Sequence, residues 1–247
     1  MALVVEERRV QPRLGTRKLH RILQERLTEV GVKVGRDRLF ELLEERGLLV
    51  QAQSAEYPRT TNSYHCLPVF TNQIKDLQVA HCHQVWVVDL TYIRTEEGFL
   101  FLAMLTDKYS RKIIGDHCSD TLEAEGCVQA LDMALAQLPA GVYPIHHSDR
   151  GTQYCCHEYV NRLVDQGLTV SMTETNHCAE NALAERMNGI LKSEYLLGRT
   201  FKTKADARRA VAQSIQLYNT RRPHTALDYD FPARVHSRFE FHKTLAT

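Results

Sequence analysis

The chain has 247 residues, 43% of them apolar and 25% charged, and a formal net charge of +1. That gives room for one sizeable core and a small accessory unit, and excludes a disordered or fibrous chain. The longest purely apolar run, Phe99 to Leu105, is too short for a bilayer span; no charged-then-apolar leader opens the chain, and the 7 cysteines are scattered, so the expectation is a cytoplasmic protein with free thiols and no membrane partner.

The small net charge conceals an asymmetry. Residues 1–60 carry a net +3, residues 76–185 a net −10 and residues 186–247 a net +7. Basic ends around an acidic middle suit a polyanion held by its flanks, with metal cations needed where the acidic middle meets it; solvated charged faces would give the same blocks.

Along the chain, Leu19, Ile22, Leu23 and Leu27 and then Leu39, Leu42 and Leu43 fall at helical spacing, separated by Gly31 and Gly35 and ended by Gly47 at a left-handed cap position. Two amphipathic helices with a break predict a helix-turn-helix module over residues 1–50, with Arg36 and Arg38 opening the second helix toward DNA. A plain helical hairpin with a solvated basic face fits the same pattern. Residues 51–78, with Pro58 and Pro68, read as a linker.

From residue 84 the pattern becomes strands: Gln84–Ile93, Phe99–Asp107 after a turn at Gly98, and Ile113–Ser119, joined closely enough for an antiparallel meander. Thr121 is placed to cap a helix to Gln137. Val142–His147 then reads as a strand, Tyr154–Gln166 as a helix and Leu168–Met172 as a strand, with further helices at about 181–197 and 204–219. The expectation is an α/β protein with a mixed sheet and helices on its faces.

Three carboxylates stand out. Asp89 interrupts the apolar strand Val85-Trp-Val-Val-Asp-Leu90 with no basic neighbour before Arg94, and a buried unpaired carboxylate needs compensation from a distant residue or a cation. Asp149 follows the strand ending His146-His147, where α/β sheets gather ligand groups. Glu185 lies off the apolar stripe Leu183, Met187, Ile190 and Leu191, on one helix face with Asn181, Asn188 and Lys192. If convergent, three such acids cannot all stay ionised without metal, and hard oxygen ligands select Mg²⁺ or Mn²⁺; two ions at such a centre serve phosphoryl transfer.

Other residues carry plainer readings. His146 and His147 are expected to pack at a strand end, and Trp86 to be core. His81-Cys82-His83, with His65 and Cys66 upstream, raises the question of a zinc site. The spacing lacks the paired ligands of structural zinc motifs, and solvated linker residues are the expectation. Arg221, Arg222 and His224 suggest phosphate contacts, though Arg222-Pro223 equally ends a helix.

Asp89 within Trp86-Val-Val-Asp-Leu-Thr-Tyr-Ile93, Asp149 within His147-Ser-Asp-Arg-Gly-Thr-Gln-Tyr154, and Glu185 within Asn181-Ala-Leu-Ala-Glu-Arg-Met-Asn188 resemble the retroviral-integrase catalytic core. Positions 150 to 184 separate Asp149 from Glu185, the 35-residue interval of that superfamily's aspartate–aspartate–glutamate signature. Asn188-Gly-Ile-Leu-Lys-Ser-Glu194 and Tyr218-Asn-Thr-Arg-Arg-Pro-His224 are similar to the IS-three-type insertion-sequence transposases, the match running from about Gln84 to Pro232.

The resemblance implies a ribonuclease H-like core over residues 79–200, with five strands and flanking helices, and a basic helical extension over 201–247. It implies a catalytic and metal-binding trio of Asp89, Asp149 and Glu185 holding two Mg²⁺ or Mn²⁺ ions. The reaction implied is cleavage of insertion-sequence ends followed by attack of the freed 3′-hydroxyl on target DNA. DNA contacts are expected from Lys192, Asn181, Arg186, Asn188, Arg221, Arg222, Arg36 and Arg38. A homo-multimer on paired double-stranded ends, an upstream-frame partner protein and a nucleoid location in a bacterial cytoplasm are also implied. The competing readings are a catalytically silent DNA-binding regulator and a nuclease that only hydrolyses.

Overall fold

A computed structural model describes residues 1–51, 66–174 and 180–245, with side chains to residue 238. Its centre is a five-stranded sheet built from β1 (Val85–Thr95), β2 (Gly98–Asp107), β3 (Ile113–Ser119), β4 (Ile145–Ser148) and β5 (Thr169–Met172), in the order β3-β2-β1-β4-β5. The first three strands run antiparallel, Trp86 facing Asp107 and Asp89 facing Met104. β4 and β5 add parallel, with Val87 opposite His147. This is the expected mixed sheet, and β1 at its middle is covered on both sides, which is why it reads as a nearly unbroken apolar run.

Three short helices cover one face: α4 (Ala124–Leu135), α5 (Thr152–Cys155) and α6 (His157–Asp165). Trp86, Val88, Ala103, Leu105 and Ile114 from the sheet pack there with Ala130, Leu131, Tyr154, Tyr159 and Leu163. The approach is close enough that a Cβ at Gly115 would overlap the Ala130 carbonyl oxygen, so β3 requires glycine there. On the other face lie α7 (Ala182–Glu194) and α8 (Lys204–Arg221), where Ile93, Leu100, Leu102 and Met104 meet Met187, Ile190, Leu191, Val211 and Ile215. Thr203 caps α8 by accepting from the Asp206 N–H at 3.0 Å. A 3₁₀ turn at Thr225–Leu227 leads to a last helix, α9 (Pro232–Leu245).

The amino-terminal helices α1 (Ala2–Val10), α2 (Thr16–Glu29) and α3 (Arg36–Glu45) enclose their own small core of Val4, Leu14, Leu19, Leu23, Leu39 and Leu43. Gly31 and Gly47 follow α2 and α3 at φ of +71° and +62°, the left-handed backbone that glycine tolerates.

Several boundaries differ from the periodicity. The helix expected from Thr121 begins at Ala124, because the Thr121 N–H turns back to the Ser119 hydroxyl and the Leu122 carbonyl accepts from Gln153. The helix expected over 154–166 is two, broken at Cys156, whose ψ of 149° is extended. The strand expected from Val142 starts after Pro144, which has no N–H for the ladder. α1 has no counterpart in the sequence reading. Of the expected linker, residues 52–65 lie outside the described set, but Ile74 is buried beside Val85 and Val87, and Leu67 and Phe70 pack on the main core. Among the described residues no helix is long and apolar enough to cross a membrane.

Candidate active site

Alternation along β1 aims Asp89 to the same side as Val87 and Ile93, which share clusters with Ala184 and Met187 of α7. Asp89 is thereby set, half-buried, beneath α7. Its Oδ1 accepts from the Leu90 N–H at 2.9 Å, and its Oδ2 from the Asn188 amide at 2.6 Å. Burial pushes its carboxyl up to about 7, helped by the charge of Asp149 and, to a smaller extent, of Glu185; the two hydrogen bonds pull the other way.

Asp149 follows β4, and its Oδ1 accepts from the Gly151 N–H at 3.0 Å. A Cβ at Gly151 would stand 3.1 Å from that oxygen, so a side chain there would press the carboxylate aside by a few tenths of an ångström. Arg150 ties the same turn to the end of β5 by donating to the Thr173 carbonyl at 2.6 Å. Glu185 is exposed on the first turn of α7, on the side from which its charge raises Asp89. The charges of Asp149 and Glu185 thus reach Asp89, but the ligand oxygens of the three acids do not all lie within 4.8 Å of one another.

Lys192 completes the same helix face. Its ammonium lies 4.3 Å from the centre of the Tyr92 ring, and burial lowers its pKa to about 8 against the pull of Asp89. Nothing in the sequence marks Tyr92: its position three residues beyond Asp89 on an apolar strand reads simply as core.

Other expected DNA contacts are placed differently. Asn181 is buried and donates to the Val88 carbonyl at 3.0 Å, pinning the start of α7 to β1. Asn188 is buried and serves Asp89. Arg222 is a correction: it is 2% exposed, bidentate to Glu194 through Nε at 2.7 Å and Nη2 at 2.8 Å, and so is withdrawn from any phosphate. Arg221 is half-exposed and ion-paired with Glu7 at 3.0 Å, and Arg186 is exposed, on the side toward Lys18 and His224. Arg36 and Arg38 are exposed on α3, paired with Asp37 and Glu41. Arg36 also lines a groove of about 560 Å³ with Arg17, Lys18 and Phe40.

His146 and His147 pack as expected, sharing hydrogen bonds with Tyr159 and Ser171, and Trp86 is fully buried. His65, like residues 175–179 before α7, lies outside the described set. Cys66 is exposed, whereas Cys82 and His83 are buried rather than solvated linker residues.

Integrase core domain families match residues 80–178 and 166–232. The 31 kDa protein of insertion element IS600 from Shigella sonnei is 37% identical over 235 residues, covering 94% of this chain and 84% of that protein. The transposase for insertion sequence element IS629, also from Shigella sonnei, is 30% identical over 226 residues, 91% of this chain and 74% of the other. Transposase InsF of insertion sequence IS3A from Escherichia coli strain K12 is 35% identical over 185 residues, 74% and 64% of the two chains.

Among solved structures, the HTLV-2 integrase catalytic core domain in complex with magnesium superimposes with a TM-score of 0.51 at 17% identity, over 64% of this chain and 99% of that one. The simian T-cell lymphotropic virus intasome does so at 0.55 and 18%, over 90% and 74%. Sheet order and the structural likenesses define a ribonuclease H-like fold, and the family matches make it an integrase core. The chain belongs to the IS3-type insertion-sequence transposases of the retroviral-integrase superfamily.

Proposed function

We propose that this protein is the transposase of its own insertion sequence, cutting the element's ends and joining them to new DNA, with Asp89, Asp149 and Glu185 as the catalytic trio. The observation that carries this reading is the placement of Asp89, half-buried beneath α7 with its carboxylate oriented by the Leu90 N–H and the Asn188 amide; burial raises its carboxyl, and the charges of Asp149 and Glu185 add to that. Closed on one another, the three carboxylates would form an all-oxygen donor set that fits hard divalent cations, Mg²⁺ or Mn²⁺, two of them for three acids. Bound there, they would supply the activation of the attacking oxygen and the charge that steadies the leaving oxygen in phosphoryl transfer.

The chain's own residues do the rest. Asn188 and the Leu90 N–H fix the Asp89 carboxylate in one orientation, and the Gly151 N–H fixes Asp149. The Lys192 ammonium, steadied on Tyr92 beside the trio, meets a phosphate of the element's end. The net +7 of residues 186–247 gathers DNA that the acidic middle alone would repel. Arg186, Arg36 and Arg38 are exposed for further backbone contacts. α2 and α3 would act as the helix-turn-helix reader, their groove lined by Arg17 and Arg36. Assembly as a homo-multimer on paired ends, an upstream-frame partner and action at the bacterial nucleoid belong to the same proposal.

The test is a labelled duplex copied from the ends that flank the reading frame, incubated with the full chain and target plasmid. Cleaved and joined products are expected with Mg²⁺ or Mn²⁺ and none with chelator. Tight binding to the ends without any metal-dependent product would instead identify a silent regulator, and cleavage without joining a nuclease. Lys192→Gln is expected to weaken end binding and reduce the slope of log affinity against log salt by about one counterion's share. Titrations at several salt concentrations check this; an unchanged slope would remove Lys192 from the DNA interface.

A further inference from the structure

A second cluster of ligand-type side chains lies away from the three acids, at the opening of β1. Cys82, from the lead-in to β1, Asp107, from the last position of β2, and His236, from α9, each offer a ligand atom, and the three atoms lie within 4.8 Å of one another. Their exposures are 0%, 0% and 1%. From these residues we infer a zinc-type metal site, separate from the catalytic trio, that fastens α9 to the sheet.

Three features of the cluster support the inference. The first is charge. Asp107 is fully buried and makes no ion pair among the described residues, and a carboxylate so placed is strongly stabilised by a bound cation. The second is lone-pair accounting. Asp107 Oδ1 accepts from the Ser110 N–H at 2.7 Å and the Ser110 hydroxyl at 2.8 Å; Oδ2 accepts from the His83 N–H at 2.6 Å. Three of about four acceptor positions are filled, which keeps the carboxylate oriented and leaves a lone pair on Oδ2.

The Ser110 hydroxyl has a single proton, already donated to Asp107. Its 2.9 Å bond to His236 Nδ1 therefore requires the proton to sit on Nδ1, which puts the imidazole lone pair on Nε2. By accepting from Nδ1 and donating to Asp107, Ser110 does what outer partners at metal sites do: it fixes the histidine tautomer and orients the carboxylate. By the same reasoning His83 is a support and not a ligand: its Nδ1 accepts from the Trp86 indole at 3.3 Å, so its proton is on Nε2.

The third feature is how α9 is held. Of its described side chains, residues 232–238, only Pro232 and His236 are buried, so over that stretch the imidazole is the group that reaches the sheet. One thiolate, one imidazole and one carboxylate form a borderline-soft set that suits Zn²⁺ and disfavours Mg²⁺. Tetrahedral ligands at zinc distances stand roughly 3.3–3.7 Å apart, so atoms that all lie within 4.8 Å of one another need only a small contraction on binding.

The full-length chain, expressed with zinc supplied and dialysed without chelator, is expected to carry one zinc per chain by elemental analysis. Cys82→Ser and His236→Ala should lose it, while Cys66→Ser and Asp89→Asn keep it. Cobalt replacement in the wild type should give thiolate-to-metal absorption in the near ultraviolet, a readout that needs no variant to fold. Less than stoichiometric zinc in the folded wild type, zinc retained in both Cys82→Ser and His236→Ala, or cobalt bound without the thiolate band would each overturn the site.

Discussion

Asp89→Asn is expected to abolish end cleavage and strand transfer, by about a thousandfold or more, while leaving DNA binding within about twofold. It is also expected to make the metal-free protein more stable. The sign follows from linkage. A carboxyl raised from its ordinary value to about 7 binds a proton more readily in the folded state, so metal-free stability falls as pH rises from near 4 toward 7 and stays reduced above that. Asparagine removes the charge and the penalty together.

The local bonds survive the exchange. The carbonyl of the substituted amide can still accept from the Leu90 N–H. Its NH₂ can donate to the Asn188 carbonyl oxygen, now buried without a partner, if the Asn188 amide turns over. A melting temperature several degrees above wild type in chelator at pH 7.5, reversed when saturating Mn²⁺ stabilises only the wild type, is the expected pair of results. Transfer near the wild-type rate would remove Asp89 from the chemistry; a lower melting temperature in chelator would show that its ionised form is compensated by the protein itself.

The three acids of the proposed trio stand out in the sequence because their signals are local. An acid inside an apolar strand, an acid just past a strand's end and an acid off a helix's apolar stripe can each be read from a ten-residue window. The chain path that α7 must follow then brings Asn188 and Lys192 along with Glu185 at helical spacing.

What escaped depends on partners far away in the chain. Arg222, before a proline in a basic stretch, resembles a phosphate contact until Glu194 is placed against it. Glu7 is buried by Arg221, which breaks the apolar pattern of α1 and hides the helix. Cys82 acquires meaning only when Asp107 and His236 arrive from the second strand and the last helix. The break at Cys156 is equally silent, since the apolar periodicity continues on both sides of one extended residue.

Arg222→Met is expected to destabilise the fold by about 3–5 kcal/mol, because it leaves Glu194 as a partly buried charge with one remaining partner. Arg222 is the hub of a polar network. Besides the bidentate bond to Glu194, its Nη1 donates to His224 Nε2 at 2.8 Å and its guanidinium sits 5.7 Å from the Tyr218 ring centre. Glu194 ends α7 and also receives Lys18 of α2 at 3.3 Å. One carboxylate therefore links α7, the segment after α8 and the amino-terminal helices, with Gln11 adding a bond to the Arg221 carbonyl and one from Tyr195.

The Glu194 carboxyl is held below its ordinary value by the Arg222 guanidinium and the Lys18 ammonium against the opposing effect of burial. A depressed carboxyl contributes stability that is present above its unfolded pKa, about 4.3, and lost as pH falls through the lower folded value. The wild type should therefore lose this contribution only in acid, whereas Arg222→Met should lack it at neutral pH and show a shallower decline below pH 4. Replacing both partners, Arg222→Met with Glu194→Leu, should recover much of the loss, since no charge is left buried alone. Denaturant unfolding of the three proteins at pH 7 and pH 4 checks this, and additive losses in the double variant would mean that Arg222 and Glu194 do not act as a pair.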